Sequence, residues 1–217
     1  MIRSRMMRGI ASPVLLGALL LGGCSGKGDI IPVNLAVKPK EGATSSPAVK
    51  AMAAPRVTVV PFEDGRNDRT KVGTRNSMWG GESYFNVPTG SAGEETAQAF
   101  ADYLKRKGWQ VQYAKQTPPV SDNGPDIVLS GKILDLAVDA KGGFGFTDIG
   151  ARSKLTIQAK NRVDDSSISD TVAHSGTYNV FWFEPQDGED ILSEVLEKNF
   201  ERFVLNTKFD DRAIRFR

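Results

Sequence analysis

The stretch Ala151-Arg-Ser-Lys-Leu-Thr-Ile-Gln-Ala-Lys160 alternates without a slip. Ala151, Ser153, Leu155, Ile157 and Ala159 fall on one side of an extended chain, and Arg152, Lys154, Thr156, Gln158 and Lys160 on the other. Successive side chains of a strand point to opposite faces, so this segment is a strand with one dry and one wet face. Parallel sheets are covered on both faces, whereas antiparallel sheets tolerate a solvated one. The pattern therefore predicts an antiparallel sheet.

The neighbouring segments extend that sheet. Residues 126–139 form a long apolar run in which Ile127, Leu129 and Ile133 share one parity and Leu134, Leu136 and Val138 the other. A phase change of this kind marks a bulge, placed near Gly131 and Ile133. Lys141-Gly-Gly-Phe-Gly-Phe146 turns the chain between the two strands, and Asp164-Asp165-Ser166 turns it again before a last strand over 172–183. Asp187 is read as the cap of a final helix with an apolar stripe of Ile191, Leu192, Val195, Leu196, Phe200 and Phe203.

Upstream, residues 56–62 and 109–113 read as two more strands. Between them Ser91-Ala-Gly-Glu94 fits a capping box, Ala97, Phe100, Ala101 and Leu104 recur at helical spacing, and Gly108 stands where a C-terminal cap glycine belongs. The order is β-α-β-β-β-β-α. It predicts an α+β fold, a mostly antiparallel sheet with two helices on one face. Residues 63–90, rich in Gly, Asn and Arg, read as a long mobile arm. Deleting 74–87 is expected to cost little stability, because closure entropy changes slowly with loop length.

The N-terminus has the three parts of a secretory signal. Arg3, Arg5 and Arg8 give a positive start, 14–21 is apolar apart from Gly17, and Leu21-Gly22-Gly23-Cys24 supplies small residues before a cysteine. The apolar run is shorter than the roughly 20 residues of a membrane-spanning helix. Leu21-Gly22-Gly23-Cys24 resembles the lipobox of bacterial lipoproteins. That resemblance implies cleavage after Gly23, a lipid on Cys24 and firm membrane attachment. Ser25, rather than an Asp, follows the cysteine, which leans toward the outer membrane with the domain facing the periplasm. Cys24 is the one cysteine of the chain. A free thiol would be exposed to oxidation in that compartment, and a thioether removes it.

The expected organisation is a signal peptide (1–23), a lipidated N-terminus and flexible tether (24–54), a periplasmic domain (55–208) and a C-terminal tail (209–217). Within the tether only 30–37 has strand character, and it is able to pair with the domain; the rest reads as a spacer lifting the domain off the lipid. Of the 28 basic residues three lie in 1–23, leaving 25 against 26 acidic residues, a net charge of −1. No nucleic-acid partner is expected from such a balance.

Chemistry is sparse. His174 is the only histidine, and its parity with Val172, Tyr178 and Val180 predicts a partly buried, structural side chain. One His and no free Cys give no zinc site of the usual kind, and no H-E-x-x-H or G-x-S-x-G motif is present. No catalytic residue, metal or cofactor is expected. Asp64-Gly-Arg-Asn-Asp68-Arg69 reads as a turn held by Asp-to-backbone bonds rather than a calcium loop. Trp182 and Phe183 are expected to pack under the final helix, the alternative being a lipid- or peptide-binding crevice at the sheet end. Trp79, Tyr84 and Phe85 in the long arm, with Phe144 and Phe146 at the glycine-rich hairpin tip, are the candidate partner contacts; for the first three, folding back as a lid on the sheet is an equal alternative.

The chain resembles a YajG-type lipoprotein, a family similar in size and element order to the auxiliary lipoproteins of envelope ABC transporters. The residues that carry the resemblance, over about 55–205, are the lipobox, Val57-Thr-Val with Asp64 and Arg66 after it, and Leu104-Lys-Arg-Lys-Gly108-Trp109. Further on they are Ile127-Val-Leu with Ile133-Leu134, Tyr178-Asn-Val, and Val195-Leu196. It implies a non-enzymatic, lipid-anchored envelope accessory that binds an envelope protein partner. Two other readings stand beside it: a small-ligand or lipid carrier with an apolar cavity, and a periplasmic hydrolase using His174.

Overall fold

A computed structural model describes residues 28–38, 55–121 and 124–217. The signal peptide and Cys24 lie outside the described residues. The fold is α+β, built in chain order from β1 (Asp29–Pro32), β2 (Arg56–Val59), β3 (Glu63–Asp64), β4 (Gly73–Asn76), β5 (Glu82–Asn86), α1 (Ala92–Arg106), β6 (Gln110–Tyr113), β7 (Ile127–Gly142), β8 (Thr147–Asn161), β9 (Ser167–Val180), α2 (Pro185–Asn206), β10 (Thr207–Asp210) and β11 (Ala213–Phe216).

The alternating strand is β8. Every second residue from Thr147 to Asn161 is buried and those between them are wholly or partly exposed. It pairs antiparallel with β7 on one side and β9 on the other, a ribbon of three long strands. The register of β7 slips between Ile133 and Asp135. Leu134 is the extra residue, and it turns outward while Ile133 and Leu136 stay buried.

On its other side β7 is flanked by three short strands, all parallel to it. Val57 of β2 lies opposite Ile127, Glu63 of β3 opposite Lys132 and Gly73 of β4 opposite Val138. The sheet forks there. One branch continues from β2 to β6, the other from β4 to β5 and β1. Where β4 joins, only glycine fits, since a Cβ on Gly73 would stand 1.7 Å from the Val138 carbonyl oxygen.

Both helices cover one face. The Ser91 hydroxyl caps α1 by accepting from the Glu94 N–H (3.2 Å), and Gly108 takes the left-handed φ of +87° just after the helix ends. Phe100 of α1 packs on Phe200 (4.8 Å between ring centroids) and Phe203 (5.7 Å) of α2, above Leu129, Ile133 and Leu155 of the sheet. In α2 the cap is Glu184 rather than Asp187, whose carboxylate accepts the Glu184 N–H (2.7 Å) from one turn inside.

Two expectations are overturned. Residues 63–90 are not a mobile arm: they hold β3, β4 and β5, and Phe85 and Val87 are core residues. The alternation Ser83, Phe85, Val87 faces inward, but glycines and polar residues between such short strands hid the pattern. Residues 209–217 are not a loose tail. They complete the β10–β11 hairpin, whose Ile214 is buried and exchanges two bonds with the Asn161 side chain (2.8 and 3.1 Å). The pairing open to 30–37 does occur: β1 adds to β5, and Val33, Leu35 and Val37 enter the core. That strand character was legible at 30–37. Backbone bonds then hold the segment to both helices, from Lys38 N–H to the Ser193 hydroxyl (2.9 Å) and from the Arg106 guanidinium to the Val37 carbonyl (2.9 Å).

Candidate functional site

The chain direction of each strand decides which loops meet. The C-terminal end of β7, the start of β8 and the end of β9 lie together, since Gly142 faces Thr147 and Thr147 faces Val180. The end of β4 is there too, with Asn76 opposite Lys141, and so is the start of β5. One end of the sheet therefore gathers the β4–β5 turn, the β7–β8 turn and the segment leaving β9.

Each of these carries outward aromatics. Trp79 sits in the turn closed by the Ser77 N–H to Gly81 carbonyl bond (2.8 Å) and is 85% exposed, with Met78 beside it. Phe144 is at the apex of the next turn, 88% exposed, because Gly145 adopts a φ of +78° that reverses the chain in two residues. Phe146 follows, half exposed. After β9 come Phe181 and Trp182, 82% and 79% exposed. Asp29, Glu82, Asp148 and Glu184 stand at the same strand ends, with Lys141 and with Arg75, whose guanidinium lies over the Phe183 ring, so carboxylates outnumber cations at this end.

Of the five candidate contacts, Trp79, Phe144 and Phe146 are brought together here. Tyr84 is not: it lies on the outer face of β5, with the Lys71 ammonium over its ring at 4.8 Å. Phe85 is corrected outright. It is wholly buried, edge-on to Phe183 at 6.1 Å, and no partner reaches it. Phe183 packs inward as expected, under the Arg75 guanidinium (4.5 Å). Trp182 does not, because β9 ends at Val180 and the parity that would have turned Trp182 inward ends with it. Met78 and Phe181 are contact candidates that sequence reading missed, and Trp182 reads there first as a packing residue, with a binding role at the sheet end as the alternative. A run of two exposed-type loop aromatics directly after a strand was the available signal.

The remaining chemical candidates are structural. His174 is exposed on the edge strand β9, not partly buried. Its cross-strand neighbour Ser153 is buried, and the Ser153 hydroxyl has no hydrogen-bond partner, so the two do not form a nucleophile–base pair. Asp64 grips Arg66 through two bonds (2.9 and 2.8 Å), and Arg66 reaches on to the Lys71 carbonyl (2.8 Å). Burial raises the Asp64 carboxyl, and the Arg66 bonds and charge more than offset it, leaving it below the ordinary value. Asp68 accepts from the Thr70 N–H and hydroxyl (2.9 and 2.6 Å), the turn the sequence suggested. Among the described residues no three His, Cys, Asp or Glu converge as metal ligands. None of their helices is long and apolar enough to cross a membrane.

A shallow depression of about 540 Å³ lies on the wet face of the ribbon near Arg152, which bridges Asp135 (2.9 Å) and Asp139 (3.1 Å). Between sheet and helices the space is filled by Phe100, Leu104, Phe200 and Phe203, all wholly buried.

No family model matches the chain, and no curated protein does. Solved structures with similar outlines include a protein of the DUF330 family from Xanthomonas campestris, 8% identical over 81% of this chain and 92% of that one, with a TM-score of 0.44. A lipoprotein from Neisseria meningitidis is 12% identical over 69% of this chain and 99% of its own, at 0.37. A PelC dodecamer from Paraburkholderia phytofirmans is 18% identical over 71% and 91%, at 0.33. What the chain does is read from its own residues.

Proposed function

We propose that the chain is a non-enzymatic lipoprotein, anchored through Cys24 in the outer membrane with its domain facing the periplasm, and that it serves as an accessory to an envelope protein partner. The observation that carries this is Leu21-Gly22-Gly23-Cys24 directly behind a short apolar run. The resemblance to YajG-type lipoproteins agrees with it. The exposed, unpaired placement of His174 supports a binding role over a hydrolytic one. The filled interior supports it over a carrier, whose ligand needs an apolar cavity.

The test is metabolic labelling with a fatty-acid analogue, followed by fractionation. The native chain is expected to take label and sediment with membranes, and Cys24→Ala to lose both. Undiminished label on Cys24→Ala would overturn the proposal.

A further inference from the structure

The described chain begins at Gly28, whose N–H donates to the Glu82 carbonyl (2.7 Å). Glu82 opens β5, immediately after the turn that carries Met78 and Trp79. Asp29 then pairs with Ser83, and β1 runs away from that end. The point where the polypeptide enters the domain is thus the aromatic end of the sheet.

Four residue steps separate Gly28 from Cys24. Even fully extended they span at most about 14 Å. If Cys24 carries acyl chains it sits at the headgroup level, and the aromatic end is held within that reach of the lipid. The far end of the domain, with β10 and β11, is a whole β7 length away, and β7 has 16 residues.

From this we infer that Trp79, Phe144, Phe146, Phe181 and Trp182 enter the interfacial layer of the bilayer that holds the anchor, so that the domain stands on the membrane by this end. The inference rests on the lipid-anchor reading and deepens it. The occupant is a lipid surface rather than a second protein because the covalent link sets which face meets the lipid, whatever else binds. The chemistry fits. Rings of Trp and Phe on turn tips place an apolar body in the headgroup–acyl boundary and leave backbone polar groups in water. Charge does not draw the end in, since carboxylates outnumber the cations Lys141 and Arg75 there. Contact is therefore expected on zwitterionic lipid and is expected to respond little to salt.

The three tryptophans make the test clean. Trp79 and Trp182 are at the aromatic end, while Trp109 immediately precedes β6 at the other end and packs on Phe209 (4.5 Å). Acylated chain purified from membranes in detergent is reconstituted into phosphatidylcholine vesicles whose acyl chains are brominated, and indole emission is compared with that in unbrominated vesicles. Trp109→Phe, which keeps both reporters, is expected to be strongly quenched and blue-shifted. Trp79→Phe/Trp182→Phe, which keeps only Trp109, is expected to lose the quenching. Mass spectrometry of the same samples reads the acyl chains on Cys24. Acylated protein with unquenched Trp79 and Trp182 overturns the inference and leaves the anchor standing. A photo-cross-link from position 79 or 182 to another protein or a second copy, with the indoles unquenched, reassigns the end to that occupant. Protein without acyl chains overturns the anchor and the inference with it, since the inference places this end in the bilayer that holds that anchor.

Discussion

Phe85→Ala separates a structural reading of the β4–β5 hairpin from a mobile one. Phe85 is wholly buried, edge-on to Phe183, and its ring fills the space that a side chain on Gly188 of α2 would occupy, 3.3 Å away. Helix and strand press on the ring from both sides, so the site has little freedom to collapse after truncation. Removing a buried Phe ring costs about 3–5 kcal/mol. For a domain of this size each kcal/mol lowers Tm by roughly 2–4 °C, so the expected fall is about 6–20 °C. Trp79→Ala, six residues earlier, removes a larger ring that touches little, and surface changes stay within about 0.5 kcal/mol. Thermal melts of both variants by circular dichroism make the comparison internal. Equal Tm for Phe85→Ala and the native chain would show that the hairpin is not part of the core and would undo the corrected reading of residues 63–90.

Leu35→Ala tests whether residues 28–38 belong to the domain: Leu35 is wholly buried in the core, and a loss of about 2–5 kcal/mol in urea unfolding is expected where a spacer residue would give none. Gly93→Ala places a Cβ 2.0 Å from the Phe62 carbonyl oxygen, which must shift, so a loss of about 1–3 kcal/mol is expected despite the better helix former. Asp126 accepts from the Arg56 N–H (2.8 Å) and pairs with Arg212; burial raises its carboxyl, and these partners more than offset that, holding it below the ordinary value. Its contribution is present above the unfolded value of about 3.9 and is lost as pH falls through the folded one. Urea titrations from neutral pH downward are expected to show a steeper acid loss for the native chain than for Asp126→Asn.

The long elements were legible because their periodicity is uninterrupted. β8 alternates over its whole length, and the bulge in β7 announced itself as a change of parity one residue from where Leu134 sits. The short strands were not legible. Four or five residues of β4 and β5 give too few turns of the pattern to stand out among Gly73, Gly80, Gly81 and Gly90, and parallel pairing to β7 is a long-range contact that no local spacing reveals. The candidate site was half visible for the same reason. Phe144 and Phe146 stand beside turn glycines, whereas Phe181 and Trp182 follow a strand whose last residue cannot be told from the alternation. That Trp79, Phe144 and Trp182 meet at one end depends on strand directions, and these emerged only with the register.

Neutron reflectometry of the acylated chain on a supported phosphatidylcholine bilayer measures how far the domain stands from the lipid. A 31-residue flexible tether would give a water-filled layer of roughly 30 Å between headgroups and protein. With residues 28–38 laid on the domain and the aromatic end downward, protein density is expected to begin within the headgroup layer, with no water layer between. A resolved aqueous gap of the tether's size would contradict the account.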